Sequence, residues 1–513
     1  MKPIWVITLL VFILAAWPAF VYDVPVAQTD GASYYVYADT LNKEGWGADN
    51  PRYNWPGSEE RSINEYPPFS IMSMAFLLWF FDPVILINGL YGAIFAVIGV
   101  VFLWLFVKDL VNENAATIAA VLFGFSVRAY YTLTVGSFPS FTAYCLTWPA
   151  LYFAYRAFTK GGWEWLWAVI ATGLVSLTYP VQALYVLFLQ SLLWVGLWFE
   201  GSIEVKFPEP KVKLKELDIF GLRKLIGYGV VSGALLGLVL IWFVFTGHAR
   251  SSWIAEWVNG LVGQTCITYP CIWKYFFVID GPLLVVLALA GILYALYENK
   301  WGMFGLGLGS LAIVLADFLL VHGDMVIVQF LYRYYTTFFV ILAVFAAYVL
   351  ERLIRVKPLK KAAWALVIVL FAIQAVKVVF FFGMVGPAML PEDMHAAEFI
   401  KDLDGNIVYL NNVAEKGTFR AFKWVHVFAE HNDYAYWIAD GEVLTTAKDY
   451  ISEADFSRLG KVTELSQDVY GDYDYVYVGD SSKLKINGTV VFAEGLTKIY
   501  EVKHETFNPD TSI

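Results

Sequence analysis

Apolar residues recur along this chain in runs long enough to cross a bilayer, and that repetition leaves few folds open. With about 30 Å of hydrocarbon to cover at about 1.5 Å per residue, a crossing helix takes on the order of 20 apolar residues. Runs of that order lie near residues 4–22, 83–107, 115–131, 139–158, 164–179, 181–199, 225–246, 275–297, 302–321, 333–354 and 362–382. Backbone N–H and C=O groups find no partner in lipid outside a helix or a closed barrel. The runs therefore predict a polytopic α-helical membrane protein of about 11 transmembrane helices. A content of 59% hydrophobic and 16% charged residues fits no ordinary soluble domain.

One further apolar stretch, Pro67 to Phe81, decides the topology. At about 15 residues it reaches roughly 22 Å as a helix, short of the hydrocarbon thickness. If it does not cross, the loops holding Lys108, Arg156 and Lys160, Lys206 to Lys224, Lys300, and Arg352 to Lys361 all share the side of Lys2. That arrangement obeys the positive-inside rule throughout; a crossing would put every one of those loops outside. Residues 66–81 are thus expected to lie at the outer interface, which also suits Trp79 and Phe80. The N-terminus is then cytoplasmic and the C-terminal region extracytoplasmic. The first run, with Ala15-Ala16-Trp17-Pro18-Ala19 near its end, has small residues that would also suit a cleaved signal. Its length of about 18 apolar residues is long for a signal core and favours a span.

Charge divides the chain in two. The formal net charge is −10, and residues 384–513 hold 22 Asp and Glu against 11 Lys and Arg. Such acidity argues against a nucleic-acid partner. The expected domains are 1–383, a transmembrane unit with an outer loop at 23–82, and 384–513, a small external α/β unit. Pro391-Glu392-Asp393 opens a helix through about Leu403, with acids at its positive end. Strands are expected at 407–410, 475–478, 490–492 and 498–502, where β-branched and aromatic residues concentrate. Cys266 and Cys271 fall together in an external loop, where a disulfide is permitted, and Cys145 lies within a span as a packing residue. Asn487-Gly488-Thr489 is a glycosylation-type sequon.

Chemistry concentrates in the first outer loop. Asp30 stands just past the first span in Gln28-Thr29-Asp30-Gly31-Ala32-Ser33-Tyr34-Tyr35, and Glu65-Tyr66-Pro67-Pro68-Phe69 follows on the same side. A carboxylate at the lip of a span can take the proton of an acceptor hydroxyl while a lipid substrate approaches from the bilayer. Asp30 also suits the N-cap of a helix running to Lys43. Both roles stay open from sequence.

A first span, an outer loop opening with an acid and Tyr-Tyr, a juxtamembrane Tyr-Pro-Pro helix, about ten further spans and an external C-terminal domain resemble the GT-C glycosyltransferases. The likeness extends to the oligosaccharyltransferase catalytic subunit and to protein O-mannosyltransferase type enzymes. The resemblance implies a polytopic enzyme that takes sugars from polyprenyl-phosphate donors and passes them to a glycan, lipid or protein acceptor. It implies Asp30 as the base of an inverting displacement, with Glu65 or Asp39 as a second carboxylate. A leaving polyprenyl phosphate needs cationic donors, and Arg333, in Tyr332-Arg333-Tyr334-Tyr335 at a span boundary, takes that place, with Arg128, Tyr66 and His248 as further substrate-binding residues and Arg250 behind them. Asp280, Asp317 and Lys377 are ionisable residues within spans.

Two departures matter. Residues 127–138 are similar in shape to the second outer loop of the oligosaccharyltransferase subunit, where acids follow the glycine; here Ser137-Phe138-Pro139 follow Gly136. A divalent cation wants several carboxylate oxygens, so the departure puts a metal-dependent mechanism in doubt; no cofactor is expected, with a divalent cation the one that stays open. Asp433-Tyr434-Ala435-Tyr436-Trp437 resembles that subunit's peptide-binding motif, but His431, Asn432 and Ala435 stand where it has tryptophans and glycine. The competing classes are a non-catalytic member that binds lipid-linked glycan or scaffolds a complex, and a polytopic transporter, which would show repeats and midplane charges.

Overall fold

The computed structural model describes residues 3–26, 29–46, 68–126, 136–206, 211–214, 226–231, 281–321, 331–384, 389–411, 434–438, 473–479 and 486–502, with single residues between them such as Tyr130, Leu133, Val425 and Phe428. Its helices are α1 (Pro3–Val21), α2 (Thr29–Glu44), α3 (Pro68–Leu78), α4 (Pro83–Leu110), α5 (Glu113–Gly124), α6 (Phe138–Thr159), α7 (Glu164–Thr178), α8 (Pro180–Ser202), α9 (Pro282–Tyr297), α10 (Trp301–Val321), α11 (Leu331–Arg355), α12 (Lys360–Met384) and α13 (Pro391–Ile400). Among the described residues, α1, α4, α8 and α12 contain stretches long and apolar enough to cross a membrane. Helices occupy the other expected spans too, apart from 225–246, most of which lies outside the described residues.

Helix α5 departs from the run expected at 115–131 by stopping at Gly124 after 12 residues. The Tyr130 hydroxyl folds back to donate to the Gly124 carbonyl at 2.7 Å, so the helix end is satisfied within an apolar surround. Packing centres on α6, which touches α4, α7 and α8, while α8 lies along α10 and α9 along α11. The α8–α10 contact is close because a Cβ on Gly305 would fall 2.3 Å from the Leu192 carbonyl oxygen. Small residues at such crossings let helix backbones approach where lipid offers no hydrophobic drive. Outward faces are apolar instead: Phe20, Trp79, Val376 and Phe380 are 72%, 69%, 68% and 68% exposed, a surface suited to lipid.

Charge gathers at one end of the bundle. Arg156 pairs with Glu164 at 2.7 Å, Lys300 with Glu200 at 3.1 Å and Arg352 with Glu298 at 2.6 Å, each bridging the ends of neighbouring helices. At that end a hairpin of β1 (Ile203–Lys206) and β2 (Lys211–Leu214) follows α8, a structure the basic loop did not announce.

Beyond α12 the chain forms a five-stranded sheet in the order β4-β3-β5-β7-β6, with β3 (Ile407–Asn411), β4 (Tyr434–Ile438), β5 (Tyr475–Val478), β6 (Gly488–Glu494) and β7 (Thr497–Val502). Strand β3 pairs parallel with β4 and β5, and β7 antiparallel with β5 and β6. Helix α13 packs on β6 and β7. The Tyr-Ala-Tyr-Trp stretch read as a peptide-motif likeness is β4, an edge strand.

Candidate functional site

At the end of the bundle opposite the ion pairs, α2 and α3 lie side by side. Asn42 Nδ2 donates to the Ala75 carbonyl at 2.9 Å, and α3 also packs on α6 and α7. Neither helix can span: α2 has 16 residues of mixed polarity and α3 has 11, about 16 Å of length. A chain of hydroxyls fixes α3. Thr142 Oγ1 donates to the Tyr91 hydroxyl at 3.0 Å, Tyr91 meets Ser73 Oγ at 3.1 Å, and Ser73 donates to the Ser70 carbonyl at 3.0 Å. Since the Ser73 proton is committed to Ser70, Tyr91 is the donor to Ser73. Three helices, α3, α4 and α6, are thereby tied through one fully buried tyrosine. Phe138 extends the cluster, its ring 6.3 Å from that of Tyr34 and 5.5 Å from that of Tyr91.

An open groove of about 470 Å3 lies where α2, α3 and α7 meet, lined by Leu41, Trp46, Pro68, Met72 and Leu177. Its lining is apolar, so it suits a hydrocarbon and offers nothing to a sugar. On the other side of α2 the rings of Tyr35 and Phe428 stand 5.7 Å apart, which brings the C-terminal region onto the helix that begins beside Asp30.

Helix α2 starts at Thr29, so Asp30 sits inside its first turn rather than ahead of it as a cap, and the helix runs one residue past the expected Lys43. Unpaired amides at a helix start favour a negative charge, the form of a carboxylate that accepts protons. Asp39, the expected alternative second carboxylate, is held by Lys43 of the same helix at 2.9 Å. Arg333 is the third residue of α11, and Asp317 lies in α10; the side chains of Asp30, Arg333 and Asp317 are outside the described residues. Glu65, Tyr66, Arg128, His248, Arg250, Cys266, Cys271 and Asp280 also lie outside them. Lys377 on α12 reaches toward Gly281 at the start of α9, its Nζ 3.8 Å from where a Cβ there would stand. Among the described residues no three His, Cys, Asp or Glu side chains cluster as a metal site would require.

The sequence reading missed the groups that build this platform. Asn88, Tyr91, Ser73 and Thr142 are polar residues inside apolar runs, and that was their signal. Asn88 is 4% exposed and bonds three backbone groups between Tyr22 and Val26.

Residues 67–207 match the family described as Dolichyl-phosphate-mannose-protein mannosyltransferase. No curated protein matches the chain in sequence. Among solved structures, the oligosaccharyltransferase AglB from Archaeoglobus fulgidus, in complex with an inhibitory peptide and a dolichol-phosphate, superposes with a TM-score of 0.57 at 14% identity, over 93% of this chain and 68% of its own. ArnT from Cupriavidus metallidurans in the apo state gives 0.57 at 12% identity over 98% of both chains. The same ArnT bound to undecaprenyl phosphate gives 0.53 at 13% identity over 97% of both. The matched family and both of these proteins are glycosyltransferases of the GT-C type, and this chain has their fold.

Proposed function

We propose that the chain is a membrane glycosyltransferase that moves a sugar from a polyprenyl-phosphate donor to an acceptor hydroxyl, with inversion, on the extracytoplasmic face. The observation that carries this reading is a GT-C fold in which the short helix α2 bears Asp30 in its first turn and borders an apolar groove at its other end, by Leu41 and Trp46. A groove of this size falls in the range of about 300–1,000 Å3 common to small-molecule sites. Its hydrocarbon lining suits a polyprenyl tail, and the start of α2, at the far end of that helix from the groove, suits an ionised base. In this reading about 11 helices span, the N-terminus is cytoplasmic, and residues 384–513 form an external domain over the site.

The acceptor oxygen attacks the anomeric carbon from the face opposite the phosphate while its proton passes to the Asp30 carboxylate. The bond from the anomeric carbon to the phosphate oxygen breaks, and its electron pair leaves on the polyprenyl phosphate. The Arg333 guanidinium receives that growing charge with forked donors. Glu65 serves as the second carboxylate, since Asp39 is engaged by Lys43. Arg128, Tyr66 and His248 complete the substrate contacts.

The test is transfer of labelled sugar from a panel of polyprenyl-phosphate sugars by the purified chain in lipid nanodiscs. Asp30→Asn keeps size but cannot take a proton, so turnover should fall by a factor of about 100 to 10,000 while donor binding survives. Arg333→Ala should weaken donor capture as well as turnover, because its contact forms in both ground and transition states. Chelators should leave the rate unchanged, given Ser137-Phe138-Pro139 where acids would hold a cation. Full activity in Asp30→Asn would sink the mechanism, and donor binding without transfer by the unaltered chain would favour the scaffold reading.

A further inference from the structure

The polypeptide between α1 and α2 has a conformational problem that one side chain solves. Val24 and Val26 are 5% and 4% exposed, so their peptide groups need partners. Pro25 between them has no N–H and steers Val24 away from helical backbone, so the segment cannot satisfy itself by continuing α1. Asn88 supplies the partners. Its Oδ1 accepts from Val26 N at 2.8 Å, and its Nδ2 donates to the Tyr22 carbonyl at 3.1 Å and the Val24 carbonyl at 2.8 Å. A single carboxamide thus reads three alternate residues, using both of its donors and its acceptor.

Local geometry aims it there. Asn88 lies in a π turn, Leu86–Leu90, at the start of α4, where the helix kinks at Gly89, whose φ of 168° and ψ of −23° are not helical. Such turns occur often at functional sites. The next residue, Gly89, lets α1 press onto the turn, since a Cβ there would fall 2.4 Å from the Ala15 carbonyl oxygen. An apolar residue at position 88 would pack α1 against α4 at less desolvation cost than a buried amide. What the amide adds is a single fixed course for residues 22–26.

We propose that Asn88 is a positioning residue for Asp30, holding the segment from which the Asp30-bearing helix starts so that the carboxylate meets the acceptor hydroxyl at reacting distance. The inference rests on the assignment of Asp30 as the base. Only Ala27, Gln28 and Thr29 separate Val26 from Asp30 in sequence, so Val26 tethers the start of α2 by a short length of chain. A displacement on the order of 1 Å is enough to cost about 100-fold in rate.

The test uses the full chain in nanodiscs and three readouts. In Asn88→Leu, hydrogen exchange in the peptide covering 22–30 should speed at least tenfold while α6 stays protected, because the Val26 amide has lost its acceptor. Turnover should drop about 10- to 100-fold with KM for the polyprenyl donor within about twofold, the mark of a misplaced base rather than lost binding. In the Asp30→Asn background, Asn88→Leu should add no further loss, because a base already removed cannot be misplaced. If Asn88→Leu does not fold, the smaller Asn88→Ala carries the same test, since it also removes the Val26 acceptor and the donors to the Tyr22 and Val24 carbonyls. Unchanged exchange, or losses that multiply in the double variant, would overturn the proposal. If Asp30→Asn is fully active, the base assignment falls and the positioning role with it, while the exchange readout still reports whether Asn88 holds the segment.

Discussion

A buried carboxylate away from the site shows how much of a residue's role its neighbourhood sets. Asp393 is 2% exposed; its Oδ1 accepts from Tyr477 at 2.8 Å and Thr497 at 2.6 Å, and its Oδ2 accepts from Leu390 N at 2.9 Å. Burial pushes its carboxyl above the ordinary value, against the lowering effect of Thr497, Leu390 and Tyr477. Asp393→Ala would leave the fully buried Tyr477 hydroxyl without its acceptor, at about 1–3 kcal/mol. Hydrogen exchange in α13 and β7 of the full chain should rise accordingly. On the surface beside it, His395 Nδ1 meets Glu494 at 2.9 Å, and that hydrogen bond and charge raise the imidazole above its ordinary 6.5. Both groups bind protons more tightly folded than unfolded. Their contribution is therefore complete below the unfolded values and is lost as pH rises through the folded ones. Protection of α13 and β6 should weaken modestly as pH rises past 6.5 and through the raised value of His395, and His395→Gln should flatten that slope. Glu392, Glu398, Lys498 and Glu501 also lie on the packed elements, so a slope that survives in His395→Gln would assign the effect to them. Sequence placed Asp393 in a first turn, as one of the acids at the helix's positive end. Its burial was hidden because Tyr477 and Thr497 lie 84 and 104 residues further on.

Elements were legible where one period ran uninterrupted and were misread where it broke. The apolar run at 83–107 announced α4, and only the Asn88-Gly89 pair inside it hinted at the π turn. Strands β3, β5, β6 and β7 lie where β-branched and aromatic residues concentrate, and α13 opens at its proline. The stretch that resembles a peptide-binding motif with its tryptophans and glycine replaced is strand β4, since its aromatic composition serves a strand as well. The candidate site was legible as a loop with an acid, but its supports were not, since Tyr91 gains meaning only beside Ser73 and Thr142 of other helices. Gly89 gives the element scale its prediction. Glycine to alanine within a helix ordinarily gains about 1 kcal/mol, but Gly89 sits at a kink with φ 168° and ψ −23°, so that gain does not arise here. Here the new Cβ would meet backbone, the Ala15 carbonyl oxygen at 2.4 Å and Ala16 Cα at 3.0 Å, and neither can swing aside. Overpacking of this kind costs about 1–3 kcal/mol, so the clash wins. Gly89→Ala should lower the melting temperature in nanodiscs and loosen the 22–30 peptide; a stabilised variant would show that α1 does not press on the turn.

For the whole molecule, the distribution of charge and of short helices argues for one orientation. The ion pairs Arg156–Glu164, Lys300–Glu200 and Arg352–Glu298 and the basic β1–β2 hairpin share one end, and the exposed Lys357, Lys360 and Lys361 follow α11 there. Helices α2 and α3 and the Tyr35–Phe428 contact with the C-terminal region mark the other. Basic loops stay cytoplasmic, so the charged end should face inward. A reporter fused after Gly383 should then read as external, and one inserted in the loop near Lys211 as internal. The alternative requires α3 to cross. Its 11 residues give about 16 Å against about 30 Å of hydrocarbon, and Trp79 and Phe80 after it are 69% and 63% exposed, as interfacial aromatics would be. An internal reporter after Gly383 would mean that α3 does cross, and Asp30 and the C-terminal region would then face opposite sides of the membrane. The Tyr35–Phe428 contact, at 5.7 Å between rings, is incompatible with that arrangement, so this one measurement tests the orientation and the packing of the site together.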